Sequence, residues 1–230
     1  MLDKFKTIVE KIDSSNLFVI DSKIPKSSYC SLDLSIDNKE LSIVDVSDSD
    51  DLEEFINSYI QNNKAKVAFG GYLETRGIYA RSEYFNEQLD PKDERNIHLG
   101  IDIWAEAGTK VLAVLDGEIH SFDYNTNYGD YGPTIILKHE IEGFVFYTLY
   151  GHLSLESLYN LEVGETVKRG EVISQLGTAE VNGDYPPHLH FQIILDVEDY
   201  FGDYPGVSSQ NTLDFYKQNC PNPNLLLGLE

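Results

Sequence analysis

Apolar positions along the first 65 residues change period twice. Leu2, Phe5, Ile8, Val9 and Ile12 recur at helical spacing and predict a helix. Leu17 to Ile20 is a short apolar run. Leu32, Leu34 and Ile36 then alternate, Asp37-Asn38 supplies a turn, and Leu41 and Ile43 alternate again before Val44 and Val46 shift the phase. That pattern predicts a β-hairpin with a bulge at the phase shift. The Asp/Ser-rich residues 47–51 predict the cap of a second helix, with Leu52, Phe55, Ile56, Tyr59 and Ile60 on one stripe. From Val67 the texture changes. Short β-type runs follow one another between glycines: Val111–Leu115, Glu118–Phe122, Thr134–His139, Phe144–Tyr150, Val172–Leu176 and His190–Leu195. Their spacing predicts a mainly β protein with an antiparallel core. A small N-terminal α+β segment, residues 1–65, is expected ahead of a main domain at 66–230.

Composition narrows this picture without redirecting it. At 41% hydrophobic and 24% charged the chain reads as an ordinary globular protein, long enough for one sizeable core. The net charge of -22 and pI of about 4.4 set up a field that repels nucleic-acid phosphates and anionic membranes, so neither is an expected partner. No run approaches the roughly 20 apolar residues of a membrane span. Residues 1–14 lack the apolar stretch of a signal peptide, which predicts a cytoplasmic location, or a secreted or periplasmic one had a signal been removed. Cys30 and Cys220 lie in unrelated contexts, outside any metal-ligand spacing, and read as two thiols, with a single disulfide as the alternative.

The six histidines are His98, His120, His139, His152, His188 and His190. In Ile97–Trp104 a period of two puts His98, Gly100 and Asp102 on one side of a strand and Leu99, Ile101 and Ile103 on the other. Gly100 disfavours a helix and leaves space between the two polar groups. In Pro186–Phe191 the same alternation puts His188 and His190 on one face, able to share a metal or a catalytic site, with Leu189 and Phe191 turned away. A third element, Tyr150-Gly151-His152-Leu153-Ser154, ends an apolar strand in a histidine. Two histidines and a carboxylate suffice for a catalytic zinc centre that leaves a position for water. The remaining histidines have the chemistry for proton transfer and oxyanion stabilisation.

Three blocks in order, His98-x-x-x-Asp102, Tyr150-Gly151-His152-Leu153-Ser154 and His188-Leu189-His190-Phe191, resemble the lysostaphin-type zinc metallopeptidases, endopeptidases that cut peptide cross-links in bacterial cell wall. Ala107-Gly108-Thr109 with Val111, Ala113 and Asp116-Gly117, and the two-glycine stretch Val163–Ile173, extend the resemblance over residues 98–195. It implies a twisted antiparallel sheet with a narrow groove walled by loops. It implies one zinc ion per chain on His98, Asp102 and His190, with His152 and His188 as the catalytic pair. It makes His139 a structural histidine, and His120, outside every block, a surface one. The implied activity is hydrolysis of a peptide bond, with peptidoglycan cross-links as substrate.

The chain departs from that pattern in its acidity, in the absence of a signal peptide and in a Tyr-Pro-Pro loop within residues 181–187. The tail Cys220–Gly228 looks like a subgroup in which this domain is fused to kinase-like and aminotransferase-like domains. Competing expectations are a zinc-bearing peptide-binding or regulatory module without turnover, an amidase on a cytoplasmic metabolite, and a non-haem iron oxygenase, since two histidines and a carboxylate also make an iron facial triad. The extra His152 and His188 favour zinc hydrolysis. Arg76, Arg81 and Arg95 read as surface ion pairs, with recognition of a substrate carboxylate as the alternative. Tyr131, Tyr150 and Tyr185 are candidates to line the groove.

Overall fold

Glycines and turn residues cut the chain after Val67 into short β-prone runs, and in the computed structural model these pair into an eight-stranded sheet. Residues 1–82, 85 and 90–229 are described. The strands are β1 (Tyr29–Ser31), β2 (Val67–Gly70), β3 (Ile97–His98), β4 (Ile101–Trp104), β5 (Lys110–Leu112), β6 (Gly117–Asn125), β7 (Gly132–Ile141), β8 (Phe144–Gly151), β9 (Thr166–Val167), β10 (Val172–Gln175), β11 (His188–Ile194) and β12 (Val207–Ser208). The large sheet runs β1-β2-β4-β11-β8-β7-β6-β9, antiparallel throughout except for the parallel β1–β2 pair. Two small sheets, β10-β5 and β12-β3, flank it. The fold is mainly β, as the sequence predicts.

Strand alternation divides the sheet into two faces with different chemistry. Ile101 and Ile103 of β4 and Leu189, Phe191 and Ile193 of β11 enter the main hydrophobic core. Each such side chain contributes roughly 1.5–3 kcal/mol on burial. The alternate residues, Asp102, Trp104, His188 and His190, line a cavity on the other face. Four helices accompany the sheet among the described residues: α1 (Leu2–Val9), α2 (Ser49–Asn62), α3 (Leu213–Asn219) and α4 (Asn224–Leu227). None is long and apolar enough to cross a membrane.

Both predicted N-terminal helices form. Phe5, Ile8 and Val9 of α1 join the main core together with Leu226 and Leu227 of α4. Asp48 caps α2 by accepting hydrogen bonds from the backbone of Asp50 and Asp51. Leu52 and Ile56 of α2 enter a second core cluster with Trp104, Tyr185 and Val207. The predicted hairpin over residues 32–46 does not form. Leu32 and Leu34 are buried, but Ile36 is 65% and Ile43 92% exposed, and Lys39–Ile43 is a 3-10 turn. The alternation at 32–34 records one-sided burial of an extended segment held by Leu32 N–H to the Phe69 carbonyl and Ile36 N–H to the Thr75 carbonyl.

His139 sits in β7 away from the polar face. Its Nδ1 donates to the Asp116 carbonyl at 2.8 Å and its Nε2 lies 2.7 Å from Thr148 Oγ1. Burial pushes its pKa down from 6.5 to about 4. The neutral ring therefore stabilises the fold fully above about pH 6.5, and that contribution is lost as pH falls from there to about 4. In urea titrations of zinc-free protein, His139→Gln should shrink the acid-side loss of stability by about 3 kcal/mol. An unchanged pH profile would show that His139 is protonated as readily folded as unfolded.

Candidate metal centre

Register alone brings the key groups together. β11 runs antiparallel to β4 with His190 opposite Asp102 and His188 opposite Trp104. His98 and Asp102 do not share one strand, as their spacing suggests. The backbone breaks at Leu99-Gly100, and β3 pairs with β12 while β4 stays in the large sheet. Gly100 makes the convergence feasible, because a Cβ there would lie 2.6 Å from Cε1 and Nε2 of His190. The space its missing side chain leaves is filled by that imidazole.

His98, Asp102 and His190 offer ligand atoms within 4.8 Å of one another, all three buried. Asp102 Oδ1 lies 3.2 Å from His98 Nε2 and 3.2 Å from His190 Nδ1, and the two imidazole nitrogens are 2.8 Å apart. Their outer nitrogens are already committed. His98 Nδ1 donates to the Gly71 carbonyl at 2.9 Å. His190 Nε2 donates to Gln192 Oε1 at 2.9 Å, and the Gln192 amide nitrogen is in turn fixed on the Pro205 carbonyl at 3.1 Å. In the neutral rings both inward nitrogens therefore carry lone pairs, facing each other and a carboxylate oxygen. Asp102 Oδ1 is buried with no hydrogen-bond partner among the described residues. Three electron-rich atoms converging in a buried site, with tautomers set by outer hydrogen bonds, fit a divalent cation such as zinc.

Charge states agree with that arrangement. Burial lowers the His98 pKa to about 4, keeping the ring neutral. Burial pushes the Asp102 carboxyl up, but His98, Arg76 and His188 around it outweigh this and hold it well below the usual carboxylate range. Arg76 is not the surface residue the sequence suggests. It is 5% exposed, its Nη1 donates to Asp102 Oδ2, and its Nε donates to Glu74 Oε2 at 2.9 Å. Arg81 pairs with Asp184 and Arg95 donates from Nε to the Val207 carbonyl.

His152 and His188 stand beside this cluster, with ring centroids 4.2 Å apart. Each commits Nδ1 to a backbone carbonyl at 2.7 Å, His152 to Asn182 and His188 to Pro186. Each neutral ring thus keeps its basic lone pair on Nε2, and that of His188 is 3.8 Å from Asp102 Oδ1. Burial lowers both pKa values, so both rings are bases rather than cations at neutral pH. His152 follows the end of β8 with a left-handed φ of 62°, a conformation that costs a non-glycine residue of order 1 kcal/mol and recurs at functional sites.

The structure thus brings together His98, Asp102, His152, His188 and His190 in one cavity, and leaves His139 and His120 outside it. His120, half-buried rather than fully exposed, bonds Ser121 and meets Tyr147 edge to face. Tyr131 and Tyr185 line the cavity. Tyr150 does not. It is fully buried in the main core, and its hydroxyl accepts from the Val114 N–H. Gln192 escapes the sequence reading, and Arg76 is placed by it on the surface. Gln192 follows His188 and His190 in the same period-2 series, a signal that was available. Nothing in the sequence marks Arg76 as buried.

Residues 96–200 match peptidase family M23. Over 124 residues the chain is 34% identical to an uncharacterized metalloprotease of Haemophilus influenzae, covering 53% of this chain and 24% of that protein. It is 39% identical over 95 residues to the glycyl-glycine endopeptidase ALE-1 of Staphylococcus capitis, covering 41% of this chain and 24% of that protein. The chain thus spans about a quarter of the length of these relatives. The catalytic domain of the antimicrobial peptidase lysostaphin from Staphylococcus simulans aligns with 53% of this chain and 80% of its own, at 30% identity and a TM-score of 0.37.

Proposed function

We propose that this chain, whose residues 96–200 match peptidase family M23, is a zinc-dependent endopeptidase of that family. The observation that carries this reading is the trio of inward lone pairs on His98 Nε2, Asp102 Oδ1 and His190 Nδ1, with Asp102 Oδ1 otherwise unpartnered. These three residues would hold one zinc ion per chain. Zinc at that position supplies Lewis acidity, polarising a carbonyl and bringing the pKa of water towards neutrality.

The remaining steps belong to the protein. The cavity walls would hold a peptide across the His152–His188 pair. One of these two histidines accepts the proton of the attacking water at Nε2. The imidazolium so formed donates to the developing oxyanion and then gives its proton to the leaving amine nitrogen as the C–N bond breaks, which returns the ring to its neutral form. The Asn182 and Pro186 carbonyls keep each ring in the tautomer these roles need. A peptide of the kind found in peptidoglycan cross-links is the first substrate to try, because one relative is named a glycyl-glycine endopeptidase.

The test is incubation of zinc-loaded protein with a panel of cross-linked muropeptides, read by mass spectrometry, alongside measurement of bound zinc. The reading predicts cleavage at one bond and one zinc per chain. Stoichiometric zinc without cleavage of any peptide would overturn the endopeptidase reading in favour of a binding module.

A further inference from the structure

The cavity over the metal centre has a volume of about 490 Å³, in the lower half of the range for small-ligand pockets. One of its walls lies outside the family-matched region. Leu34, Ile36, Leu41 and Val46 line it from the N-terminal segment, facing Trp104 and Tyr185 from the main domain. Leu34, Trp104 and Tyr185 share one buried apolar cluster, with Leu41 and Val46 packed against it. Ile36 lines the same space and remains 65% exposed, so its side chain is accessible from the cavity.

This wall is built in, not a plug resting in the cavity. Leu32 N–H bonds the Phe69 carbonyl, and Ile36 N–H bonds the Thr75 carbonyl. Beyond the wall, Ser49 Oγ donates to Asp184 Oδ1 at 3.0 Å, and Arg81 reaches both the Ser47 carbonyl and Asp184. Asp184 sits in the loop that leads to His188. The wall is therefore fastened to the loop that carries a proposed catalytic histidine.

We propose that residues 34–46 complete an apolar subsite beside the metal centre, selecting peptides that carry a bulky apolar side chain next to the bond presented to His152 and His188. The inference rests on the endopeptidase reading for the bond, but the subsite itself is a matter of binding. A glycine-only peptide leaves the space beside Leu34, Leu41 and Trp104 unfilled. A phenylalanine or leucine side chain buries there and gains affinity without any new polar contact.

The test uses the full chain carrying His152→Ala, incubated with zinc so that bound peptide persists. Affinities for tetraglycine and for its two variants with phenylalanine in the second or third position are measured by calorimetry. Trp104 is the single tryptophan of the chain, so its emission reports occupancy of this cavity. At least one phenylalanine peptide should bind tenfold or more tighter than tetraglycine and shift that emission, and Leu41→Asp should erase the difference. Ile36→Asp, at an exposed position that folding does not depend on, should reduce it as well. Equal affinities, or a preference that both variants leave intact, overturn the subsite. Cleavage assays with the zinc-loaded parent separate the two readings. Tetraglycine cut as readily as the phenylalanine peptides overturns the subsite and leaves the endopeptidase. Selective binding without any cleavage supports the subsite and overturns the endopeptidase.

Discussion

Replacing Arg76 by methionine should cost the zinc-free protein about 3–5 kcal/mol of folding stability, the loss typical when one partner of a buried ion pair is removed. Arg76 and Asp102 have side chains 4% and 3% exposed, and Glu74 beside them is 17% exposed. One guanidinium answers both carboxylates through separate nitrogens. Without it, Asp102 stays in a low-dielectric site facing only neutral imidazoles. Arg76→Lys should recover only part of the loss, because a single ammonium lacks the planar fork that meets two carboxylates at once. Zinc should narrow the deficit in both variants, since a cation beside Asp102 replaces part of the lost charge. The readout is the urea midpoint with and without zinc. A deficit under about 1 kcal/mol in the zinc-free state, the scale of an exposed pair, would mean the site is wetter than its burial indicates.

Substitutions at His152 and Asp102 should separate catalysis from metal binding. His152→Ala is expected to lower kcat by about 10²- to 10⁴-fold, the range for losing a general acid–base group, with bound zinc unchanged. Asp102→Ala should lose zinc and turnover together, because it removes the oxygen that both His98 and His190 approach at 3.2 Å. Zinc content by atomic emission and hydrolysis of a cleaved peptide give the two axes. If His152→Ala lost zinc as well, His152 would belong to the metal cluster and the division of roles would fail.

The site was legible in the sequence to the extent that period-2 alternation controls it. His188 and His190 share a face because Leu189 and Phe191 are needed in the core, and register does the rest by setting His190 against Asp102. Gly100 was readable as a gap, but what fills the gap, the His190 ring, comes from a strand some ninety residues away. Arg76 was misread because an arginine's burial depends on partners from distant segments, here Asp102, which local pattern cannot register. The hairpin over residues 32–46 was misread for a related reason. Alternation reports which residues face apolar surroundings, not whether a neighbouring strand exists to accept the hydrogen bonds. The role of that segment as a cavity wall likewise arises only from packing against Trp104 and Tyr185.

The two faces of the sheet also set where other things can attach. Phe5 of α1 and Leu226 and Leu227 of α4 share the core on the face opposite the histidines, and Lys26 Nζ ties the two ends by bonding the carbonyls of Ser14 and Leu227. A tether, a surface anchor or another domain joined at either end would leave from the back of the molecule. The mouth of the cavity would stay clear, and the centre could be held against a large or immobile polymer while its opening still faced it.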